Sequence, residues 1–149
     1  MSKRNKVKPD EHILISLFYT PYLALNAQIF QGLAEAGHSE LRPAHFSVFQ
    51  HLAPEGSRAT DLAERAQITK QSMGYLVEAL EKQGYVEQVA DPTDRRARLV
   101  RLTERGKAVN RVTEEILKQA EAEWTKKLGK NKMQKLRHLL TDLTGEINP

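Results

Sequence analysis

Apolar residues recur every three or four positions along most of the chain, the spacing of one helix face, and they alternate in only one short stretch. Ile13, Leu14, Leu17, Phe18, Leu25, Ile29 and Leu33 mark the first helical stretch, which closes at Gly37. Pro21 lies inside it. A proline there either kinks one long helix or opens a second at its first position, with Thr20 as cap. LRPAHFSVFQHLA (41–53) predicts the next helix, with Pro43 in its first turn and Phe46, Phe49 and Leu52 on one face; Pro54-Glu55-Gly56 stops it. Ser57 is expected to cap RATDLAERA, where Asp61 complements the helix dipole. Thr69 caps KQSMGYLVEALEKQ, which ends at Gly84 as a helix ends at glycine. YVEQVA (85–90) and RLVRLT (98–103) read as short strands around the turn DPTDRRA. From Thr103 a long helix runs to about Leu128, with Val109, Val112, Ile116, Ala120 and Trp124 as its stripe. Gly129 breaks it. The last helix spaces Met133, Leu136, Leu140, Leu143 and Ile147 like a short coiled-coil seam.

The predicted fold class is mainly α with a small β-hairpin. Helix, helix, turn, helix and hairpin, in that order, make a winged helix-turn-helix spanning 41–103, whose second paired helix would enter a DNA major groove. Helix 70–83 suits that role. Met73, Leu76, Val77 and Leu80 share an inward face, while Lys70, Gln71, Ser72 and Tyr75 lie off it near the N-terminus. These side chains can reach phosphates or base edges, and glutamine suits adenine. Ser57, Arg58 and Thr69, at the starts of the two helices, complete this part of the candidate DNA-binding set.

Charge sharpens the picture at the hairpin. Residues 90–106 hold five arginines, four of them between Arg95 and Arg101. A thin hairpin tip can enter a minor groove, where the negative potential of narrow A·T-rich segments favours arginine. Arg95, Arg96 and Arg98 are the wing candidates, and Asp91 and Asp94 are expected to hold the turn and orient guanidinium groups. The formal net charge is only +4, and it is unevenly spread: +3 over 1–10, −3 over 11–56, +1 over 57–106 and +3 over 107–149. A bulk polyanion binder would be more basic. Nucleic acid would be met by a shaped surface.

The chain resembles the MarR family of multiple-antibiotic-resistance-type regulators. DPTDRRARLVRLTERG (91–106) is the most specific match, similar to the family's wing and the start of its next helix. Similarity continues through DLAERAQITKQSMGYLVEALEKQGYVEQV (61–89), and helix order and length agree over nearly the whole chain. The resemblance implies a homodimer on an inverted repeat in double-stranded DNA, with dimerisation helices at 11–37 and 104–149. It implies that Arg96 enters the minor groove with Arg95 beside it and Asp94 as its orienting partner. Gln71, Ser72 and Tyr75 fall where the family's recognition helix faces bases. It also implies a small ligand that weakens DNA binding, in a cleft between dimer helices and DNA-binding lobe. Tyr19, Tyr22 and Phe49 would line such a pocket for an aromatic or phenolic anion, with Arg42 or His45 as polar anchor. Pro21 departs from the family's continuous first helix. The cysteine of its redox-sensing branch is missing.

Other function classes fit poorly. The chain has no cysteine, so disulfides, thiol redox chemistry and Cys-ligated zinc are excluded. His12, His38, His45, His51 and His138 form no HxxxH pair, and no metal site is expected. No nucleophile–base–orienter pattern or phosphate-cradling glycine loop points to an enzyme or a cofactor. MSKRNKVK followed by ILISLFYTPYLAL imitates a secretory leader. Asp10, Glu11 and His12 interrupt it, Pro21 breaks the apolar run, and no small-x-small cleavage pattern follows. No apolar run reaches the ~20 residues that span a bilayer, so a cytoplasmic protein without membrane contact is expected. The competing reading is a winged-helix protein-interaction module without sequence-specific DNA binding. It predicts neither sequence preference nor steep salt dependence.

Overall fold

The computed structural model describes residues 13–147; the basic segment 1–10 and His12 lie outside the described residues. Six helices and one hairpin follow in order: α1 (Leu14–Glu35), α2 (Phe46–His51, entered through a 3-10 turn Pro43–His45), α3 (Ala59–Arg65), α4 (Lys70–Lys82), β1 (Val86–Asp91), β2 (Asp94–Leu102), α5 (Glu104–Leu128) and α6 (Lys130–Ile147). The fold class is as expected: mainly α with a two-stranded antiparallel wing. The chain divides into two compact units, Met1–Thr113 and Glu114–Pro149, with the boundary inside α5. None of the described helices is long and apolar enough to cross a membrane.

Pro21 neither starts nor ends a helix. α1 runs through it, and the Thr20 hydroxyl donates to the Ser16 carbonyl (3.2 Å) from inside the helix instead of capping one. Only the bond from position 21 is lost, because proline lacks the N–H that would reach one turn back. The predicted apolar stripe then divides in two. Ile29 and Leu33 are buried, whereas Leu14, Leu17 and Phe18 are exposed.

The second predicted helix is shorter than 41–53. Pro43 starts a single 3-10 turn and Leu52 already has an extended backbone, so α2 proper is six residues. Its most buried side chain is Val48, which the Phe46-Phe49-Leu52 face omitted. α4 matches its expected pattern more closely. Thr69 accepts a hydrogen bond from the Ser72 N–H (3.0 Å) as N-cap, and Met73, Val77 and Leu80 are buried. Leu76 is only half-buried. Gly84 follows at φ 78°, the left-handed conformation glycine adopts freely, and lets the Tyr85 N–H return to the Leu80 carbonyl (2.9 Å).

The wing differs from the expected pair of short strands joined by a broad turn. β1 and β2 extend to Asp91 and Asp94, leaving Pro92-Thr93 as the turn. Pairing is regular from Val86↔Leu102 to Ala90↔Arg98, and then slips, so that Asp91 pairs with Asp94. Arg95, Arg96 and Ala97 therefore stand opposite no residue of β1. They form a bulge, a device that bends a strand and re-aims its side chains.

Tyr85 is the centre of the first unit. It is fully buried, its hydroxyl donates to Glu40 Oε1 (2.5 Å), and its oxygen accepts from Arg105 Nη2 (3.1 Å). His38 Nδ1 lies 3.0 Å from the same oxygen; with the phenol proton given to Glu40, the ring nitrogen is the donor. Arg105 also donates to Glu40 Oε1 (2.5 Å) and sits over the tyrosine ring. Gly106 touches this group. A Cβ there would lie 2.1 Å from the Tyr85 carbonyl oxygen.

In the second unit, Gly129 separates α5 from α6, and Arg137 pairs with Glu121 across the two helices. Ala120 is buried and Met133 half-buried. Leu136, Leu139, Leu140, Leu143 and Ile147 are exposed.

Gly106→Ala is expected to destabilise the protein by about 3 kcal/mol or more, because the clashing atom is backbone and cannot swing aside. Urea unfolding followed by circular dichroism checks this, and a cost within 0.5 kcal/mol, the range of ordinary surface changes, would contradict the packing described. Acid sensitivity is the second expectation. The Tyr85 hydroxyl, above all, holds the Glu40 carboxyl down at about 2, against an ordinary 4.5. A lowered carboxylate contributes stability that is full above its unfolded pKa and is lost as pH falls towards the folded one. Stability should decline between about pH 4.5 and 2, and less steeply in Tyr85→Phe. Equal slopes in urea titrations at stepped pH would contradict it.

Candidate nucleic-acid interface

The helix-turn-helix begins where Ser57 meets the wing. Ser57 was expected to cap α3 and touch DNA, and it is not the cap. It is buried, exchanges backbone hydrogen bonds with Val100 (2.9 and 2.8 Å), and its hydroxyl accepts from the Ala53 N–H (3.0 Å). Arg58 is instead the N-cap residue of α3, and it makes no side-chain cap bond.

α4 presents its first turn to solvent. Thr69, Lys70, Gln71, Ser72 and Tyr75 are all exposed, Tyr75 at 63%. The Thr69 hydroxyl donates to the Ser72 hydroxyl (2.8 Å), and Gln71 Nε2 donates to the Tyr75 hydroxyl (3.2 Å). The second bond uses one amide hydrogen. The carbonyl oxygen and the other N–H remain, and these are the groups that pair with adenine N6 and N7.

The five arginines around the wing separate by role. Arg101 pairs with Glu87 across the strands (2.9 Å), Arg98 donates to the Gln88 carbonyl (2.9 Å), and Arg105 belongs to the Tyr85 group. Arg95 and Arg96 form no ion pair and no side-chain hydrogen bond among the described residues, and both are exposed. The cations without partners are therefore the two in the bulge.

The acids hold the turn, though not as expected in every detail. Asp91 Oδ1 accepts from the Thr93 N–H (2.8 Å) and hydroxyl (2.7 Å), and Oδ2 accepts from Arg58 Nε (2.9 Å) and Nη2 (2.6 Å). The Thr93 bonds, followed by the guanidinium, hold its carboxyl at about 2. Asp94 was expected to orient the Arg96 guanidinium. It accepts instead from the Arg96 backbone N–H (3.0 Å), with its other oxygen 3.7 Å from Arg58. The carboxylate thus caps the bulge backbone and leaves the arginine side chain free.

The candidate ligand residues take part in separate local contacts. Tyr19 and Tyr22 are exposed and stack on each other at 6.4 Å. The Arg42 N–H donates to His45 Nδ1 (3.0 Å), while the Arg42 guanidinium donates to the Ser39 and Leu41 carbonyls. Burial, with help from Arg42, keeps the His45 pKa below its ordinary value and favours the neutral ring. Phe49 is buried between Phe46 and Tyr85. Among the described residues, no hydrogen bond or ring contact links the tyrosine pair to Arg42, His45 or Phe49. No group of three His, Asp or Glu side chains there is placed to hold a metal ion.

Residues 39–97 match a model described as the MarR family. Among solved structures, a transcriptional regulator from Thermotoga maritima is 25% identical, with 90% of this chain and 93% of that one covered and a TM-score of 0.65. CouR from Rhodococcus jostii, solved with p-coumaroyl-CoA, is 20% identical over 92% of this chain and 95% of that one, with a TM-score of 0.67. A MarR family transcriptional regulator from Streptomyces coelicolor, solved in complex with DNA, is 19% identical over 96% and 94%, with a TM-score of 0.65. No curated protein matches the chain by sequence. Residues 39–97 are thus similar to the MarR family model, and the chain has the fold of the solved MarR-type transcriptional regulators.

Proposed function

We propose that the protein is a homodimeric, DNA-binding transcriptional regulator, a repressor released by a small aromatic or phenolic ligand. One observation carries the DNA reading. The only wing arginines left without partners among the described residues sit in the bulge, in the same lobe as an exposed, polar first turn of α4. In this reading Lys70 meets phosphates, Gln71, Ser72 and Tyr75 face bases, and Arg96, with Arg95 beside it, enters the flanking minor groove. The Streptomyces coelicolor neighbour was solved on DNA, which supports the same use of the fold here.

The dimer reading rests on exposed apolar surface. Ile13 just before α1, Leu14, Ile15 and Leu17 on α1, and Leu139, Leu143 and Ile147 on α6, stand open to solvent in the single chain. Large apolar patches of this kind mark interaction surfaces, and a second copy would cover them. The ligand reading leans on the p-coumaroyl-CoA complex of CouR and on the exposed Tyr19–Tyr22 pair. A ligand that favours a lobe spacing other than successive major grooves would weaken DNA binding. A coupling of about 1–3 kcal/mol lowers affinity by roughly 5- to 150-fold.

Selection of duplexes from a randomised pool at two salt concentrations tests the DNA reading. An inverted repeat with half-sites about one helical turn apart is expected. Uniform weak retention of every sequence would favour the interaction-module reading instead. On the selected site, Arg96→Ala should lose affinity chiefly at the flanks, and Gln71→Ala should relax discrimination at one base pair per half-site by about 1–3 kcal/mol. Wild-type behaviour of Arg96→Ala sinks the wing assignment. Light scattering at micromolar concentration should give twice the chain mass; a single-chain mass defeats the dimer. Thermal-shift screening with aromatic acids tests the ligand, and it is abandoned if no compound shifts melting or releases DNA.

A further inference from the structure

Ser57 and Arg58 are consecutive, and each is tied to a different part of the wing. Ser57 holds its base through the paired bonds to Val100. Arg58 reaches its tip, where two N–H groups of one guanidinium converge on Asp91 Oδ2 at 2.9 and 2.6 Å. Asp91 is a carboxylate at a surface turn, yet it is only 5% exposed and accepts from four donors. Such charge-assisted bonds fix geometry more strongly than neutral ones.

We infer that Arg58 and Asp91 form a latch that sets where the wing arginines point, and that neither acts by touching DNA. A two-stranded hairpin is marginally stable by itself, and its regular ladder here stops at Ala90↔Arg98. Beyond that pair, the aim of the tip depends on ties outside the ladder. The bond from the Arg96 N–H to Asp94 is local and travels with the tip. Among the described residues, Arg58 is the one side chain that ties the tip to another element by hydrogen bond or ion pair, at the start of α3.

The sign of one substitution separates this latch from plain electrostatics. Asp91 is negative on a face meant for phosphates, so by charge alone its removal should tighten DNA binding. If it positions the wing, its removal should weaken binding, because the competent wing pose is populated less often.

The inference rests on the DNA-binding reading above, and the experiment tells the two apart. The probe is a labelled A·T-rich duplex of about 30 base pairs, long enough for two half-sites one helical turn apart, titrated with full-length protein. Asp91→Asn and Arg58→Met should each weaken binding about tenfold, and the double variant no further than either. Arg58→Lys keeps the charge with a different donor geometry and should also bind more weakly, whereas a phosphate contact would tolerate lysine. In the free variants, amide hydrogen exchange at Thr93, whose N–H is held by Asp91, should accelerate while α4 stays protected; this reads the latch even where binding is poor. Unchanged or tighter binding by Asp91→Asn overturns the latch, as does Arg58→Met weakening binding alone. Wild-type protein that fails to bind the duplex overturns the DNA reading and the latch with it. Binding by wild type with unaltered exchange in both variants overturns the latch only.

Discussion

The Tyr85 hydroxyl lies in the core of the lobe, where an unpaired O–H would cost about 1–3 kcal/mol. Its partners come from two distant parts of the chain: His38 and Glu40 after α1, and Arg105 at the start of α5. Tyr85 itself ends the turn after α4 and begins the path into β1. One side chain therefore joins the entry to the lobe, α4, the wing and the helix that leaves it. The Glu40 carboxylate and Arg105 guanidinium complete each other's hydrogen bonding, so a charged pair can sit against the core without a stranded charge.

Around this anchor, carboxylates and cations are divided by what each is bonded to. Asp91 and Asp94 spend their oxygens on Thr93, on the Arg96 backbone and on Arg58. Their charge is thereby used to build the turn and does not pair with the Arg95 or Arg96 side chains. Cross-strand pairs such as Arg101–Glu87 are exposed and worth no more than about 1 kcal/mol. A region of near-zero net charge can thus still present a local positive tip, which a count of acids against bases hides.

Much of this was legible in residue order. The Thr69 cap, the buried face of α4, the stop at Gly84 and the stripe of α5 follow from local spacing, and local spacing is what a sequence displays. The features that were not legible depend on partners far along the chain. Ser57 has the chemistry of a cap, but its pairing with Val100, 43 residues on, turns it inward. The bulge at 95–97 depends on the register of two strands, and nothing local distinguishes Asp94 bonding a backbone N–H from Asp94 bonding a guanidinium. Tyr85 read as the first residue of a strand. Its role appears only once residues 38, 40 and 105 meet around it. Pro21 left one long helix and a fresh start both open, and the chain takes the single helix, because a helix tolerates one missing bond where the flanking turns continue.

The start of α5 is bound to the lobe more tightly than a helix that merely packs on it. Thr103 receives the Gly106 N–H on its hydroxyl oxygen while donating to the Gly84 carbonyl, and its own N–H reaches the Tyr85 carbonyl. Arg105 holds the Tyr85 ring and hydroxyl, and Gly106 lies so close that no side chain fits between helix and turn. These ties fall within four residues, and most of them converge on the segment 84–85 that separates α4 from β1. A helix fixed at so many points within one turn cannot pivot there without breaking several bonds at once. The first turn of α5, the end of α4 and the base of the wing therefore move as one body. Any change in the direction of α5 that began in its first turn would carry the end of α4 and the base of the wing with it.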